Sequence, residues 1–243
     1  MHIKMKKLSF VLFFLSFVFL NAQKQKLSPE AEISVLTIDP GSSLSDAFGH
    51  NGFRIKDQTL DIDIVFNYGV YDFNAPNFYL NFARGKLNYK IGQNYSQDFI
   101  GFYISQNRTI KEQVLNLTQI EKQNLFEFLI NNYKPENQYY LYDFFYDNCA
   151  TKIRDIANTS LNSSIIFNEP EGFKPKTFRQ LIHDHVDRNS WGGFGIDLAL
   201  GSVIDKKATA EEHMFLPYYI HVFFESATIN TSKPLVKQTN ILY

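Results

Sequence analysis

The sequence predicts an α+β domain: an antiparallel sheet with a cysteine-bearing helix packed across one face. Three observations lead there. In the stretch ending at Ile55, Phe53 and Ile55 share one side while His50, Gly52 and Arg54 share the other. The next stretch alternates in the same way, with Ile62, Ile64 and Phe66 opposite Asp61, Asp63 and Asn67. Further on the period changes, because Cys149, Ile153, Ile156 and Ala157 recur at the spacing of one helical face.

Before these elements, Lys4, Lys6 and Lys7 precede an apolar run from Leu8 to Leu20, followed by Asn21-Ala22-Gln23. That is the pattern of a secretory signal peptide, with cleavage expected after Ala22, and the run is short for a membrane span. Residues 1–22 are therefore expected to be the signal peptide, and 23–243 a single domain with a helical C-terminal extension. The formal charge of −1 falls to about −4 once the three lysines are removed, which argues against nucleic acid as a partner. The chain has one cysteine, so no internal disulfide forms. In an oxidising compartment, a lone thiol is a liability unless it is buried or used.

Ile33 to Ile38 reads as a strand stopped by Pro40-Gly41. The two alternating stretches then form a hairpin. Centring its turn between Gln58 and Thr59 leaves Asp57 to Leu60 as a four-residue loop and sets His50 opposite Asn67. Asp63 has the same parity as Asn67, and a carboxylate would stabilise an imidazolium more than an amide does. Pairing with Asp63, however, needs a two-residue turn on Lys56-Asp57, neither of which is glycine. Asn67 is thus the expected partner of His50.

From Ala75 to Val114 the chain is strand-rich and aromatic, and the simplest reading is further antiparallel strands, at 78–82, 87–91 and 109–114. Thr118-Gln119-Ile120-Glu121 is a capping box opening a helix that is closed before Pro135. At the cysteine helix, Asp147 or Asn148 is the expected N-cap. Cys149 then sits in the first turn, where the positive end of the helix dipole favours a thiolate. A Ser/Asn-rich loop is expected over 158–164 and a helix from Thr177. His183 and His185, two apart on that helix, do not share a face, so neither is expected to bind a metal. Trp191-Gly192-Gly193-Phe194-Gly195 lacks the Lys-Ser/Thr of a phosphate loop and reads as a loop, a wall of the cleft. A last helix from Thr209 carries Phe215, Tyr218, Tyr219, Ile220, Phe223 and Phe224 towards the core. No H-E-x-x-H, C-x-x-C or G-x-S-x-G motif occurs, and no cofactor is expected.

A cysteine at a helix start, a histidine on a strand and a polar residue on the neighbouring strand are the parts of a papain-type thiol catalyst. Here the histidine precedes the cysteine, the order of a circularly permuted papain-like (NlpC-type) fold. Cys149, His50 and Asn67 are the expected catalytic residues. The segments Phe48-Gly49-His50-Asn51-Gly52-Phe53-Arg54-Ile55, Asp63-Ile64-Val65-Phe66-Asn67-Tyr68-Gly69, the run from Asn77 to Tyr89, Tyr146-Asp147-Asn148-Cys149-Ala150-Thr151 and Asp197-Leu198-Ala199-Leu200-Gly201 together resemble the bacterial Lnb N-terminal periplasmic domain family, from about Ile33 to about Ile220. The resemblance implies an exported, periplasmic domain, and its motifs fall on His50, Asn67 and Cys149. Many relatives continue into membrane helices, and no such span follows Phe224 here. The expected activity is a cysteine-dependent hydrolase or acyltransferase acting on amide or ester bonds of the cell envelope. Its expected partner is an envelope substrate, peptide or peptidoglycan first and lipid second, with peripheral contact to a membrane; a non-catalytic envelope-binding module is the third reading. A deep apolar groove beside Cys149 would favour lipid, and a shallow polar cleft would favour peptide.

Overall fold

The computed structural model describes residues 25–71, 88–161 and 164–243. The expected signal peptide and the strand at 78–82 lie outside these residues. Seven strands form one antiparallel sheet: β1 (Glu32–Ile38), β2 (His50–Asp57), β3 (Ile62–Tyr71), β4 (Asn88–Tyr95), β5 (Ile110–Leu115), β6 (Tyr139–Leu141) and β10 (Val236–Ile241), in the order β10-β5-β1-β2-β3-β4-β6. A small second sheet joins β7 (Ile165–Ile166), β8 (Thr228–Ile229) and β9 (Lys233–Pro234). The helices are α1 (Ser96–Ser105), α2 (Gln119–Asn132), α3 (Cys149–Ser160), α4 (Phe178–His183), α5 (Trp191–Leu200), α6 (Ala210–His213) and α7 (Pro217–Ser226).

Alternation along the strands sends side chains into two separate cores. Val35, Phe53, Ile55, Ile64 and Phe66 meet Leu125, Phe126 and Leu129 of α2, Ile153 and Ala157 of α3, and Phe223 and Phe224 of α7. On the opposite face, Leu36, Ile38 and Val65 are covered by Phe99 and Tyr103 of α1. The expected packing of the cysteine helix across one sheet face is thus present. A third cluster gathers Phe178, Leu181, Ile182, Val186, Ile204, Phe215 and Leu216 beside the sheet.

Four expectations need correction. Residues 96–105 are helical although Tyr95 at the N-cap gives no side-chain bond; the helix is held by Phe99 and Tyr103 packing on the sheet, a tertiary gain invisible to local propensity. Residues 191–200 form a helix instead of a loop. Ser190 caps it by accepting from the Gly193 N–H at 3.0 Å, and Gly193 packs so closely on the Asp187 carbonyl that a Cβ would collide. The expected loop at 158 starts later, since α3 runs to Ser160. The last helix is two, with Pro217 restarting it at the first position, where proline is tolerated.

The β2–β3 hairpin does have a four-residue connection, shifted by one residue, because Asp57 pairs with Ile62. The cause is Asp57 itself. Its fully buried carboxylate accepts from the Ser28 N–H (2.7 Å) and hydroxyl (2.8 Å) and from the Thr59 (3.1 Å) and Leu60 (3.2 Å) N–H groups. Burial alone would raise its pKa, yet these donors hold it below the usual carboxylate range. Removing the carboxylate in Asp57→Ala should therefore lower the unfolding free energy by about 3 kcal/mol, read as a lower urea midpoint at unchanged slope. A loss under about 0.5 kcal/mol would remove Asp57 as the pin of the hairpin.

Candidate active site

The cysteine is placed by Asn148. This nearly buried amide caps α3, its Oδ1 accepting from the Ala150 (2.8 Å) and Thr151 (3.0 Å) N–H groups while Thr151 Oγ1 accepts from the Asn148 N–H at 2.8 Å. Its Nδ2 donates to the carbonyls of Phe144 (2.7 Å) and Phe215 (2.9 Å). One side chain thus ties the helix start to two other segments. Of the two expected caps, Asn148 is the one used; Asp147 instead pairs with Lys152 at 2.7 Å. Cys149 occupies the first helical position and is half-buried.

His50 opens β2. Gly49 before it has φ +82°, and a Cβ there would meet the Ile38 carbonyl, so only glycine can bring the chain into the strand this way. The expected register is off by two residues: Gly52, not His50, faces Asn67. The contact survives along the diagonal, with His50 Nε2 and Asn67 Oδ1 3.3 Å apart. Asn67 Nδ2 donates to Asn94 Oδ1 at 3.2 Å, which turns Oδ1 towards the ring. An oxygen facing Nε2 requires the proton on Nε2 and leaves the lone pair on Nδ1. Asp63 is engaged elsewhere, accepting from Arg54 Nε (2.8 Å) and Nη2 (2.7 Å).

Between Asn67 and Val70 the β3–β4 register shifts, and Gly69 in that irregularity has φ +90°. A methyl on Gly69 would lie 3.8 Å from Cys149 Cβ and 4.0 Å from His50 Cε1. The bare glycine is the floor that both side chains flank. Above it opens a cavity of about 510 Å³, bounded by Phe48, Tyr71, Tyr89, Tyr142, Phe144, Phe215, Leu216 and Pro217 as well as His50, Asn148 and Cys149. No charged side chain is among its described lining residues. Tyr142 stacks on Tyr89 with centroids 4.4 Å apart, and Phe144 meets Phe48 edge-on at 5.0 Å. Sequence reasoning did not place Phe48, Tyr142 and Phe144 in these walls, although the alternation Tyr140, Tyr142, Phe144 just before the cysteine was a signal. Trp191 to Gly195, expected as a wall, are not among the lining residues.

A model of the Lnb N-terminal periplasmic domain matches residues 19–184, more than half of the chain. The chain belongs to the Lnb N-terminal periplasmic domain family. The match includes His50, Asn67 and Cys149 and ends short of the Asp197–Gly201 segment on which the resemblance also drew. No curated protein and no solved structure matches the chain. As an Lnb N-terminal domain, it has the periplasm as its compartment.

The electrostatics of this Lnb domain oppose a resting thiolate. Burial pushes the Cys149 thiol up to about 11, despite N–H groups of Asn51, Ala150 and Cys149 itself that favour the anion. Burial likewise lowers His50 to about 4; the Asn67 bond pulls it up and the Arg108 charge pulls it further down. The pair therefore rests as neutral thiol and neutral imidazole.

Two outcomes follow. Alkylation of Cys149 by iodoacetamide should show a midpoint above that of a free thiol, returning to the ordinary value in urea; a folded-state midpoint below about 8 would overturn the neutral pair. The unfolded chain protonates His50 near 6.5 and the folded protein near 4. Stability from this group is thus full above about pH 6.5 and is lost as pH falls towards 4, by about 3 kcal/mol. His213 and His221 are also lowered by burial, so the His50 share is the difference between wild type and His50→Gln across that window.

Proposed function

We propose that this chain is an exported thiol enzyme that takes an acyl group from a lipid of the cell envelope onto Cys149 and passes it to water or to another acceptor. The observation that carries this reading is the uncharged, aromatic cavity lying directly against Cys149 and His50. A peptidoglycan stem peptide brings carboxylates that call for cationic partners, and none lines the described cavity. An acyl chain needs only apolar walls, and a volume of about 510 Å³ lies within the usual range for a small-molecule site.

In the proposed cycle, Cys149 Sγ forms a bond to the acyl carbon while its proton passes to His50 Nδ1. Asn67 holds the ring in the tautomer that leaves Nδ1 free. The Cys149 N–H, at the helix start where Asn148 Oδ1 already satisfies Ala150 and Thr151, is the proposed donor to the oxyanion. The intermediate expels the alcohol or amine, which takes the proton from Nδ1, leaving a thioester on Cys149. Water, an alcohol or an amine then attacks the thioester carbon and gives its proton to Nδ1; the C–S bond breaks, the acid, ester or amide leaves, and Sγ takes the proton back from Nδ1 to restore the thiol. Because the pair begins neutral, proton transfer accompanies attack, and the rate should stay level between about pH 5 and pH 10.

The chain order of His50, Asn67 and Cys149, with α3 packed on the sheet that carries the other two, supports a circularly permuted papain-like fold for residues 23–243 taken as one domain behind a cleaved signal peptide.

Esters of increasing acyl length test the reading. Each methylene that enters the cavity contributes about 0.8 kcal/mol, so kcat/KM should rise about fourfold per added carbon until the cavity is filled. Mass spectrometry should find the acyl group on Cys149, absent in Cys149→Ser, with acylation slowed about 100-fold or more in His50→Ala. No dependence on chain length, together with release of peptide fragments from peptidoglycan, would replace lipid by peptide as the substrate.

A further inference from the structure

His50, Asn67 and Asn94 follow one another across three neighbouring strands on one face of the sheet. Asn67 on β3 pairs with Gly92 on β4, so Asn94 stands one diagonal step away on the same side, as His50 does on β2. The contacts run in series. His50 Nε2 lies 3.3 Å from Asn67 Oδ1, and Asn67 Nδ2 donates to Asn94 Oδ1 at 3.2 Å. Gly92 leaves the space for this arrangement, since a Cβ there would come within 3.3 Å of Asn67 Nδ2 and 2.9 Å of Val70 Cγ2.

Asn67 is only 6 % exposed, and among the described residues its amide has these two side-chain partners. An amide donates at one end and accepts at the other, so its orientation is decided by what faces each end. With Asn94 presenting its oxygen, the reversed Asn67 amide would set oxygen against oxygen at one end and N–H against N–H at the other. Two mismatches in a nearly buried place disfavour that reversal. Asn94 itself is exposed, so its side chain adds nothing to the core. The residue at the solvent end of the series thus fixes the end that meets the ring. An amide oxygen at Nε2 keeps the proton there and the lone pair on Nδ1.

We infer that Asn94 is a positioning residue: acting through Asn67, it selects the tautomer of His50 that leaves Nδ1 to take the Cys149 proton. The use of Nδ1 rests on the acyl-transfer cycle above, whereas the choice of tautomer does not.

With histidine labelled by nitrogen-15, long-range proton–nitrogen NMR correlations at about pH 7 tell which ring nitrogen carries the proton. The spectrum of His50→Gln identifies the His50 signals among the six histidines. Wild type should carry the proton on Nε2. Asn94→Ala removes the acceptor and should lower the ratio of Nε2–H to Nδ1–H about fivefold, the worth of one net hydrogen bond. Asn94→Lys offers Asn67 only a donor; it should turn the amide, move the proton to Nδ1 and slow acylation of Cys149 by a short ester about tenfold or more in kcat, at unchanged KM and melting temperature. Asn94→Asp offers only acceptors, and should keep the proton on Nε2 and recover most of the rate lost in Asn94→Lys. A wild type protonated on Nδ1 overturns the inference, and so does a proton still wholly on Nε2 in both Asn94→Ala and Asn94→Lys, whatever their rates. If the tautomer responds as stated while wild-type Cys149 takes no acyl group from any ester, the proposed function fails and the role of Asn94 stands.

Discussion

The arrangement depends on the four hydrogen bonds of the Asn148 amide. Two donors of the first turn of α3 and two carbonyls from distant segments converge on one nearly buried side chain. Each bond is worth only about 1 kcal/mol net, but leaving any of these groups unpaired in the interior costs as much again or more. The loop before the cysteine is closed in the same spirit, by reciprocal bonds between Asp143 and Asp147 (3.1 and 3.0 Å). The start of α3, and with it Cys149, is therefore fixed to the segments that carry Phe144 and Phe215. In the proposed acyl transfer, position at this level matters more than any intrinsic property of the sulfur, because reacting atoms must be held close and aligned.

A helix start is expected to lower a thiol's pKa, and here it does not. A helix terminus contributes about 0.3–1 kcal/mol, rising to about 2 when partly buried. The upward shift of Cys149 from 9 to about 11 corresponds to about 3 kcal/mol in the opposite sense, after the N–H contacts have been counted. Desolvation wins because the aromatic walls of the cavity strip water from the sulfur. The same enclosure keeps His50 neutral, with the rings of Tyr103 and Phe99 about 6 Å away. In the proposed cycle, a neutral base beside a neutral thiol suffices because the proton moves during attack.

Glycine has a decisive part at two points. Gly49 allows the turn that delivers His50 to the strand end, and Gly69 relaxes the ladder where the Cys149 and His50 side chains flank it. Both are positions of positive φ where a side chain would be strained, and at Gly69 it would also intrude between Cys149 and His50.

Much of this was legible from residue order alone. The strand alternation, the capping box at Thr118, the helix starts at Thr177 and Thr209, and the placing of Cys149 at a helix start all express local periodicity and local hydrogen bonding, which a linear sequence carries in full. The pairing of His50 with Asn67 rather than Asp63 was also accessible, though by a register that the protein does not adopt; the buried Asp57 moves the turn, and the diagonal reach of the side chains restores the contact. What the sequence did not contain were events decided by distant surfaces. Helix α1 forms because Phe99 and Tyr103 find the sheet, and α5, despite three glycines, packs through Gly192 on Leu44 from a distant part of the chain. The protonation of Cys149 and His50 belongs to the same class, because it follows from how completely residues far apart in the chain exclude water, a quantity that exists only once they are packed together.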